Sequence, residues 1–284
     1  MHVLVAGATG VLGRRIVPRL VAAGHRVTAL TRRPDAAAEL RAPDVTVVSA
    51  DVYDRDSLTR VVVDAAPDLV MHQLTDLAAV DLSANARVRR IGTRNLVDAV
   101  HAAGVRRVVA QSIAWVYEAG EEPADETTPL DATTDQPRRG TIDGVLALES
   151  AVRELPEWVV LRYGLLYGPG TWFAADGSRA ADARAGRLAR GADVSSFVHV
   201  DDAAAAAVAA LGWPNGAVNV VDDEPAAADA WVPVFAAAVG AAPPADAPDA
   251  PRAGWARGAD NHFARKHLDW TPTHLSWRSG FATL

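Results

Sequence analysis

The 284-residue sequence contains no cysteine and only one lysine, Lys266. Without cysteine, disulfide bonds, thiolate catalysis and cysteine-type zinc sites are excluded, and a cytoplasmic location is the default expectation. No uninterrupted apolar run approaches the roughly 20 residues that cross a bilayer. The first residues, MHVLVAG, enter a predicted strand without a basic leader. We therefore expect no membrane segment and no targeting signal.

The charge balance excludes a further class of partner. The formal net charge is -7 at pH 7, and no basic stripe with interleaved aromatic residues occurs along the chain. Because the phosphates of nucleic acids require clustered cations, we expect no nucleic acid as a partner. A small-molecule substrate is therefore favoured.

Short β-branched runs alternate with amphipathic segments through the first two-thirds of the chain. The alternation predicts an α/β fold, a Rossmann-type doubly wound parallel sheet with helices on both faces. The predicted strands are HVLVAG, HRVTALT, VTVVSA, DLVMHQ, RRVVAQSI and WVVLRYG, and the predicted helices cover about residues 10–23, 55–65, 84–103 and 140–154.

The regularity weakens after the sixth predicted strand. A Gly/Ala-rich insertion is followed by a strand–helix unit and by the strand AVNVV. We predict a cofactor-binding domain over 1–164, completed by about 195–221, and a small C-terminal substrate-binding cap formed by 165–194 and 222–284. Within the cap, the Pro/Ala-rich stretch 241–251 is predicted to be a linker or loop, because low complexity of this kind cannot bury a core.

A glycine-rich turn lies between the first predicted strand and the first predicted helix. The sequence GATGVLG contains Gly7, Gly10 and Gly13. Glycine permits a tight turn, close approach of the backbone to a pyrophosphate and close helix packing, and the N–H groups at the helix start attract phosphate. A purely structural turn also selects glycine, so it is the position in the first strand–helix unit that favours a dinucleotide.

Arginine follows the second predicted strand, where an NAD-selective site offers an acidic residue to the ribose. Arg32 and Arg33 come after Thr31, and Arg14 directly follows the last glycine of the turn. Guanidinium groups pair bidentately with phosphate oxygens, so these cations favour NADP, with its 2′-phosphate, over NAD. A solvated arginine cluster is the alternative interpretation.

Taken in order, the motifs resemble the extended short-chain dehydrogenase/reductase superfamily, in particular its NAD-dependent epimerase/dehydratase branch and related atypical members. The matching pieces are GATGVLG, Asp51-Val52, PDLVMHQLT, RRVVAQSIAWVYE, LRYGLLYGPG, FVHVDD and LDWTP.

The resemblance implies a cofactor site spread over several strand ends. Sheet-end packing is the alternative for the apolar members of this set. The expected cofactor contacts are Gly7, Thr9, Gly10, Val11, Leu12, Gly13 and Arg14 in the turn, Arg32 and Arg33 after the second strand, Asp51 and Val52 at the adenine, Gln73, Leu74 and Thr75 along the cofactor, and Tyr163, Gly164 and Leu165 beside the nicotinamide.

The resemblance also implies a catalytic pair that this chain lacks. In the family, a tyrosine and a lysine four residues later on one helix do the proton transfer, and the lysine lowers the pKa of the phenol. Aligned on Glu149, the helix has Thr141 at the tyrosine position and Val145 at the lysine position. Another alignment does not restore the pair, since no tyrosine has a lysine four residues on.

The catalytic candidates that remain are Ser112, Tyr117, Thr141 and Tyr167. The family hydroxyl falls near Ile113, so Ser112 lies one position early on an alternating strand. Thr141 can only hydrogen-bond, because an aliphatic hydroxyl is too weak an acid without an adjacent base. Tyr117 and Tyr167 flank the expected cleft, where proton donation and core packing are both open. The proton can also come from another residue, the substrate or water.

The other histidines and acids are expected to be structural. His72 and His199 are interpreted as packed, hydrogen-bonded histidines. Asp143 is expected on the first turn of its helix, where an acidic residue favours the helix dipole. No spacing of His, Asp or Glu predicts a metal site, because FVHVDD has no partner cluster and NHFARKHLDW has its histidines off a common helical face.

Three aromatic residues, Trp115, Trp172 and Phe173, fall on segments that are expected to cover the cleft. They are interpreted either as the lining of a pocket for a flat or apolar substrate or as packing within the cap.

These observations lead us to expect an atypical NADPH-dependent oxidoreductase that acts on a small apolar or aromatic carbonyl or conjugated compound. Hydride transfer needs proximity and an apolar slot, and the proton can follow from solvent. The alternatives are a cofactor-binding sensor or scaffold without catalysis, and a non-redox biosynthetic enzyme such as a cyclase or dehydratase. We also expect a homodimer through the helices near 84–103 and 140–154, as the resemblance implies.

Overall fold

The computed structural model describes residues 1–77, 82–245 and 251–284. The predicted linker 241–251 thus lies partly outside the described residues. The chain divides into two compact units: unit 1 comprises Met1–Ser112, Ala132–Leu161 and Ala207–Ala217, and unit 2 comprises Ile113–Asp131, Arg162–Ala206 and Val218–Leu284. The assignment of cofactor binding and substrate binding to the two predicted domains stays a prediction.

The described part of the chain contains strands, α-helices and two other helical segments. The strands are β1 (His2–Ala6), β2 (Arg26–Thr31), β3 (Val45–Ser49), β4 (Leu69–His72), β5 (Arg107–Ile113), β6 (Glu157–Tyr163), β7 (Leu165–Tyr167), β8 (Val194–Ser195), β9 (Phe197–His199), β10 (Gly216–Val220) and β11 (Ala226–Ala227). The α-helices are α1 (Gly13–Ala22), α2 (Arg55–Ala65), α3 (Leu82–Arg87), α4 (Thr93–Ala102), α5 (Arg138–Val152), α6 (Ser178–Arg184), α7 (Val200–Ala209), α8 (Ala228–Ala238), α9 (His262–His267) and α10 (Trp277–Phe281). A 3-10 helix covers Pro34–Leu40, and a π-helical segment covers Val88–Gly92.

Seven strands form one sheet in the order β10-β6-β5-β4-β1-β2-β3. The pairs β1–β2, β1–β4, β2–β3 and β4–β5 are parallel. The chain runs from β1 outwards to β3 and then returns to the other side of β1 as β4, so a topological switch point lies between β1 and β4. Ligands of such sheets bind outside the carboxyl ends of the strands at this point. The predicted doubly wound α/β fold is confirmed.

Unit 1 has its core on the sheet. The central strand β1 is fully buried from Val3 to Ala6, as a parallel strand covered on both faces requires. Helix α1 buries Ile16, Val17 and Leu20, which recur at helical spacing on one face. The sheet and its helices therefore hold the loop between β1 and α1 in a fixed position.

Helix α5 begins earlier than predicted. Because it begins at Arg138, Asp143 is its sixth residue and lies in the second turn. The first turn contains no acidic residue, and the Asp143 carboxylate accepts a hydrogen bond from Arg139 Nε at 3.2 Å. The prediction that Asp143 stabilises the first turn through the helix dipole is therefore wrong.

Unit 2 has a core rich in aromatic side chains. The Phe173 ring lies 5.4 Å from the Phe197 ring and 5.3 Å from the Phe235 ring, measured between centroids. Phe173 is buried and Trp172 packs against the same cluster while remaining partly exposed. Of the two interpretations of these residues, packing accounts for Phe173. The unit also contains two small sheets, β7 with β9 in parallel and β8 with β11 antiparallel.

None of the helices in the described ranges combines the length and the apolar character that crossing a bilayer requires.

Candidate functional site

The glycine turn of unit 1 leaves room that any side chain would fill. Gly7 has a φ of +92°, and a Cβ atom built on it would lie 2.5 Å from the carbonyl oxygen of Gln73. A Cβ atom on Gly13 would lie 2.3 Å from the carbonyl oxygen of Gly7. Such distances are well inside van der Waals contact, so the backbone of the turn approaches β4 and α1 as closely as glycine allows.

The start of α1 is open to an anion. Its N-cap residue, Leu12, makes no side-chain hydrogen bond to the helix, and the first turn contains no acidic residue. The first N–H groups of a helix have no partners within it and carry the positive end of its dipole. Together with the glycine cradle, this arrangement fits the pyrophosphate of a dinucleotide. Val11 is exposed in the turn.

The predicted cations at the end of β2 have different surroundings. Arg32 and Arg33 are exposed. Arg14 donates from Nε to the Thr9 carbonyl oxygen at 2.9 Å and from Nη2 to the Ala36 carbonyl oxygen at 3.1 Å, and it forms an ion pair with Glu39. The charge of Arg14 is thus partly balanced within the protein, and Arg32 and Arg33 are the cations more available to a phosphate.

Two threonine hydroxyls connect the glycine turn to the end of β2. Thr9 Oγ1 and Thr31 Oγ1 lie 3.0 Å apart in a hydrogen bond, and the backbone N–H of Arg33 donates to Thr31 Oγ1 at 3.1 Å. The position of the two arginines relative to the turn is therefore set by hydrogen bonds. Sequence reasoning placed Thr9 at the cofactor and did not anticipate this link.

The residues predicted at the adenine lie after β3. Asp51 is exposed, and its carboxylate accepts a hydrogen bond from the N–H of Tyr53 at 2.9 Å. Val52 is buried, and its carbonyl oxygen accepts from Asn95 Nδ2 at 2.8 Å. Val52 also packs close to Gly92, so packing explains much of its environment.

Gln73 follows β4 directly and has an unusual environment. The residue is 4% exposed, and neither its amide nitrogen nor its amide oxygen has a hydrogen-bond partner within the described ranges. An unpaired buried polar group costs free energy, so Gln73 fits a site whose partner is a ligand. Leu74 is partly exposed and Thr75 is exposed.

His72, at the end of β4, is a structural histidine in a polar setting. Its Nδ1 accepts from the N–H of Leu74 at 3.3 Å, so its Nε2 carries the hydrogen and donates to Thr93 Oγ1 at 2.7 Å. Burial, together with the nearby charge of Arg89, lowers the pKa of His72 to about 4. His72 is therefore neutral near neutral pH and has no proton of ordinary acidity to give.

The α5 face on which the resemblance places the family's tyrosine and lysine is aliphatic and hydroxylic in this chain. Thr141 and Val145 are buried. Ser112, also buried, donates to Glu149 Oε1 at 2.9 Å, and Arg153 pairs with Glu149 Oε2 at 3.0 Å. The Ser112 hydroxyl is thus used to fix Glu149.

The two candidate tyrosines belong to unit 2 and are buried. Tyr117 donates to Asn219 Oδ1 at 2.5 Å and accepts from Arg162 Nη1 at 3.0 Å. The Tyr167 hydroxyl has no hydrogen-bond partner within the described ranges, and its ring packs edge-on against Phe281. Burial raises the pKa of Tyr167, and the negative charges of Asp222 and Asp202 raise it further. Tyr167 is therefore a very weak acid in this setting.

The residues predicted beside the nicotinamide also lie in unit 2. Tyr163 and Gly164 are buried, and a Cβ atom on Gly164 would lie 2.7 Å from the carbonyl oxygen of Ser196. The N–H of Leu165 donates to the same carbonyl oxygen at 2.8 Å, and its side chain is partly exposed. Gly164 is therefore required where the chain passes close to Ser196.

A histidine–aspartate cluster in unit 2 was not predicted from the sequence. His199, Asp202 and His274 have ligand atoms within 4.8 Å of one another, so FVHVDD does have a partner, which comes from far along the chain. Asp202 Oδ1 accepts from the N–H of Thr273 at 3.0 Å, and Oδ2 bonds the backbone and ring nitrogens of His274 at 2.9 Å. The carboxylate is thus occupied by hydrogen bonds, and the two histidine rings stack at 3.7 Å. The absence of a metal stays a prediction.

Comparison with known proteins identifies the family. A family model described as the NAD dependent epimerase/dehydratase family matches residues 3–221. A 3-diazoavenalumate denitrifying reductase from Streptomyces sp is 46% identical over 305 aligned residues, which cover 99% of each chain.

Solved structures agree in fold. The UDP-glucose 4-epimerase of Thermus thermophilus, in complex with NAD, has a TM-score of 0.77 and 26% identity over 99% of this chain and 97% of that chain. The UDP-Glc/GlcNAc 4-epimerase of Campylobacter jejuni has a TM-score of 0.82 and 17% identity over 99% and 97%. The resemblance seen in the motifs is thereby confirmed. This chain belongs to the NAD-dependent epimerase/dehydratase family.

Proposed function

We propose that the chain is an NADPH-dependent reductase that removes a diazo group from a small aromatic compound as dinitrogen. The observation that carries the proposal is the 46% identity, along 99% of both chains, to a 3-diazoavenalumate denitrifying reductase. Family membership supports a nicotinamide nucleotide, since the solved neighbours include complexes with NAD. The preference for NADPH rests on Arg32 and Arg33.

The reaction suits a site without a positioned acid. When an aryl diazonium accepts a hydride, a C–H bond forms, the C–N bond breaks and its electron pair leaves with dinitrogen. The positive charge of the diazonium and the negative charge of the hydride cancel, so this step consumes no proton. Reduction of a carbonyl leaves an alkoxide that a general acid must protonate. The lack of a tyrosine–lysine pair therefore costs the proposed reaction nothing.

Different residues of unit 1 bind different parts of the cofactor and the substrate. The glycine turn and the open start of α1 hold the pyrophosphate, and Arg32 and Arg33 hold the 2′-phosphate. A bound reduced nicotinamide supplies the hydride. Thr141 hydrogen-bonds the substrate, and Val145 keeps its surroundings apolar and excludes water.

The proposal is tested by anaerobic incubation with [4-²H]NADPH and 3-diazoavenalumate, the compound for which the 46% identical relative is named. We expect one dinitrogen released for each NADPH oxidised, and deuterium from the cofactor at the ring carbon that carried the diazo group. Mass spectrometry of gas and product measures both, with a protein-free reaction as the control. Deuterium drawn from D₂O instead of the cofactor, or no turnover above the control, would overturn the proposal.

A variant separates the proposed reaction from carbonyl reduction. Thr141→Tyr with Val145→Lys restores a positioned acid, which typically accelerates proton-dependent reactions by about 10²–10⁴-fold. We expect a gain with simple carbonyl compounds and none with the diazo substrate, measured as steady-state rates. Acceleration of the diazo reaction would show that protonation limits it.

Two results with the unmodified protein would support the alternative functions. Cofactor binding without turnover would support a sensor, and product formation without NADPH consumption would support a non-redox enzyme.

A further inference from the structure

Arg89 is a buried cation in the middle of unit 1. It lies in the π-helical segment Val88–Gly92, between α3 and α4, and the residue is 4% exposed. The segment packs against α5. Short π-helical segments occur often at functional sites, because the wider turn displaces a side chain from the regular helical path.

The guanidinium of Arg89 has no ion pair and no hydrogen bond to any residue in the described ranges. The negative charge of Glu149 raises the pKa of Arg89. Burial lowers this pKa and is the stronger of the two effects. Glu149 is itself held by Ser112 and Arg153. Burial lowers the pKa of Arg89 to about 10, so the side chain keeps its charge at neutral pH.

An uncompensated buried charge is expensive, and proteins normally pair it. Among the described contacts, Glu149 pairs with Arg153 and also acts electrostatically on Arg89, so one carboxylate faces two cations. A ligand that brings a second negative charge would complete the balance. Arginine suits this role, since its planar fork binds a carboxylate through two parallel hydrogen bonds.

The neighbours of Arg89 belong to the same elements as the proposed reaction site of unit 1. Its charge acts on His72, which ends β4 at the carboxyl edge of the sheet. Its other electrostatic neighbour, Glu149, follows Thr141 and Val145 on α5 at intervals of four residues, which lie on one side of a helix. The geometry agrees, because the segment that carries Arg89 packs against α5 and Thr93, the residue directly after that segment, is hydrogen-bonded to His72 at 2.7 Å.

We infer that Arg89 binds the carboxylate of an aromatic acid that is the substrate of this site. The inference rests on the proposed function for the aromatic acid substrate, and it adds the residue that recognises the acid group. Arg89 positions the substrate by binding its carboxylate, and it does not contact the ring carbon that accepts the hydride.

The test compares an acid with its ester, neither of which carries a diazo group. The NADPH-loaded protein is titrated calorimetrically with 4-hydroxycinnamate and with methyl 4-hydroxycinnamate. A charge-assisted pair with Arg89 predicts that the acid binds about 10- to 100-fold more tightly than the ester. Equal affinities in the unmodified protein would overturn the inference without the use of any variant.

The variants assign the preference to one side chain. Arg89→Met should abolish the preference for the acid and leave ester binding unchanged, and Arg89→Lys should retain part of it. Arg90→Met is the matched control, because Arg90 is the exposed neighbour on the same segment, and it should bind like the unmodified protein. Circular dichroism checks that each variant is folded.

Two other outcomes are informative. If Arg89→Met weakens NADPH binding and leaves the acid preference intact, Arg89 serves a cofactor phosphate and the inference is wrong. If the acid preference depends on Arg89 but no dinitrogen is released from a diazo substrate, the carboxylate site stands and the proposed reaction fails.

Discussion

At the scale of single residues, burial decides which groups of unit 1 exchange protons near neutral pH. His72 is fully buried and neutral, with both ring nitrogens in hydrogen bonds. Arg89 is buried and charged, and burial lowers the pKa of both residues. A proton donor of ordinary strength is therefore absent from this group of described side chains, and electrostatic binding is what the group offers.

His72 should make stability depend on pH. Its pKa is about 4 in the folded protein, against the ordinary value of 6.5. Its contribution is complete above pH 6.5 and is lost as the pH falls from 6.5 towards 4, because only the unfolded chain takes up the proton. We expect a loss of about 2 kcal/mol between pH 7 and pH 5, measured by urea denaturation.

His72→Asn should remove this loss, because asparagine keeps a donor for Thr93 and does not titrate. His101→Gln is the control, since His101 is an exposed histidine on α4 and should leave the pH dependence unchanged. The same pH dependence in His72→Asn as in the unmodified protein would mean that other groups cause it.

The exposed arginines after β2 should determine cofactor choice. The double change Arg32→Ala with Arg33→Ala should remove a preference for NADPH over NADH, since each lost charged contact to the phosphate is worth about 1.5–3 kcal/mol. Calorimetric titration with both cofactors measures it, and Arg41→Ala, another exposed arginine beyond the 3-10 helix, is the control. Equal affinities for the two cofactors in the unmodified protein would contradict the assignment.

At the scale of elements, the glycine turn depends on the absence of side chains. Gly13→Ala would place a Cβ atom 2.3 Å from the Gly7 carbonyl oxygen and 2.5 Å from that of Ala8. The start of α1 must then move, and we expect a loss of about 1–3 kcal/mol in the free energy of unfolding together with weaker NADPH binding.

The matched control for this change is Gly191→Ala, because nothing lies within 4 Å of a Cβ atom built there. Denaturation and cofactor titration of both variants give the comparison. Unchanged NADPH affinity in Gly13→Ala would show that the cofactor does not use the start of α1.

Strands and well-capped helices could be predicted from the sequence, because their signals are local. The six predicted strands lie within one or two residues of β1 to β6, and α2 has the predicted bounds because the Asp54 side chain caps it through the N–H of Ser57. The predicted helix 84–103 is divided into α3, the π-helical segment and α4. A π turn adds one residue without a change in composition, so the hydrophobic pattern does not reveal it.

The site could be predicted only where one segment contains all of its parts. The glycine turn is contiguous, so its tight backbone could be predicted from the sequence GATGVLG, and its binding of a pyrophosphate stays a prediction. The burial of Arg89 could not be predicted because its segment packs against α5, and the His199 cluster could not be predicted because His274 comes from a distant segment. Sequence spacing cannot show contacts that the fold creates between elements.

At the scale of the whole molecule, the prediction of a homodimer concerns the regions near 84–103 and 140–154, which include the π-helical segment, α4 and α5. Ile91 and Leu146, which lie in the two predicted interface regions, are 44% and 37% exposed. Exposed aliphatic side chains on neighbouring helices suit an isologous interface. We expect a mass by light scattering of twice the 29.9 kDa chain.

Ile91→Glu with Leu146→Glu should give the monomer mass, because charge would be buried in the interface. Val63→Glu is the control, since Val63 is a 42% exposed aliphatic residue on α2. A monomer in the unmodified protein, or a dimer that survives the double change, would contradict the predicted interface.

The aromatic side chains of unit 2 give this unit a fluorescence signal of its own. Of the eight tryptophans, Trp158 and Trp213 belong to unit 1 and the other six to unit 2. Tryptophan emission therefore follows mainly unit 2, whereas far-ultraviolet circular dichroism follows the backbone of both units. Coincident denaturation midpoints from the two signals would indicate a single cooperative transition, and separated midpoints would order the unfolding of the two units.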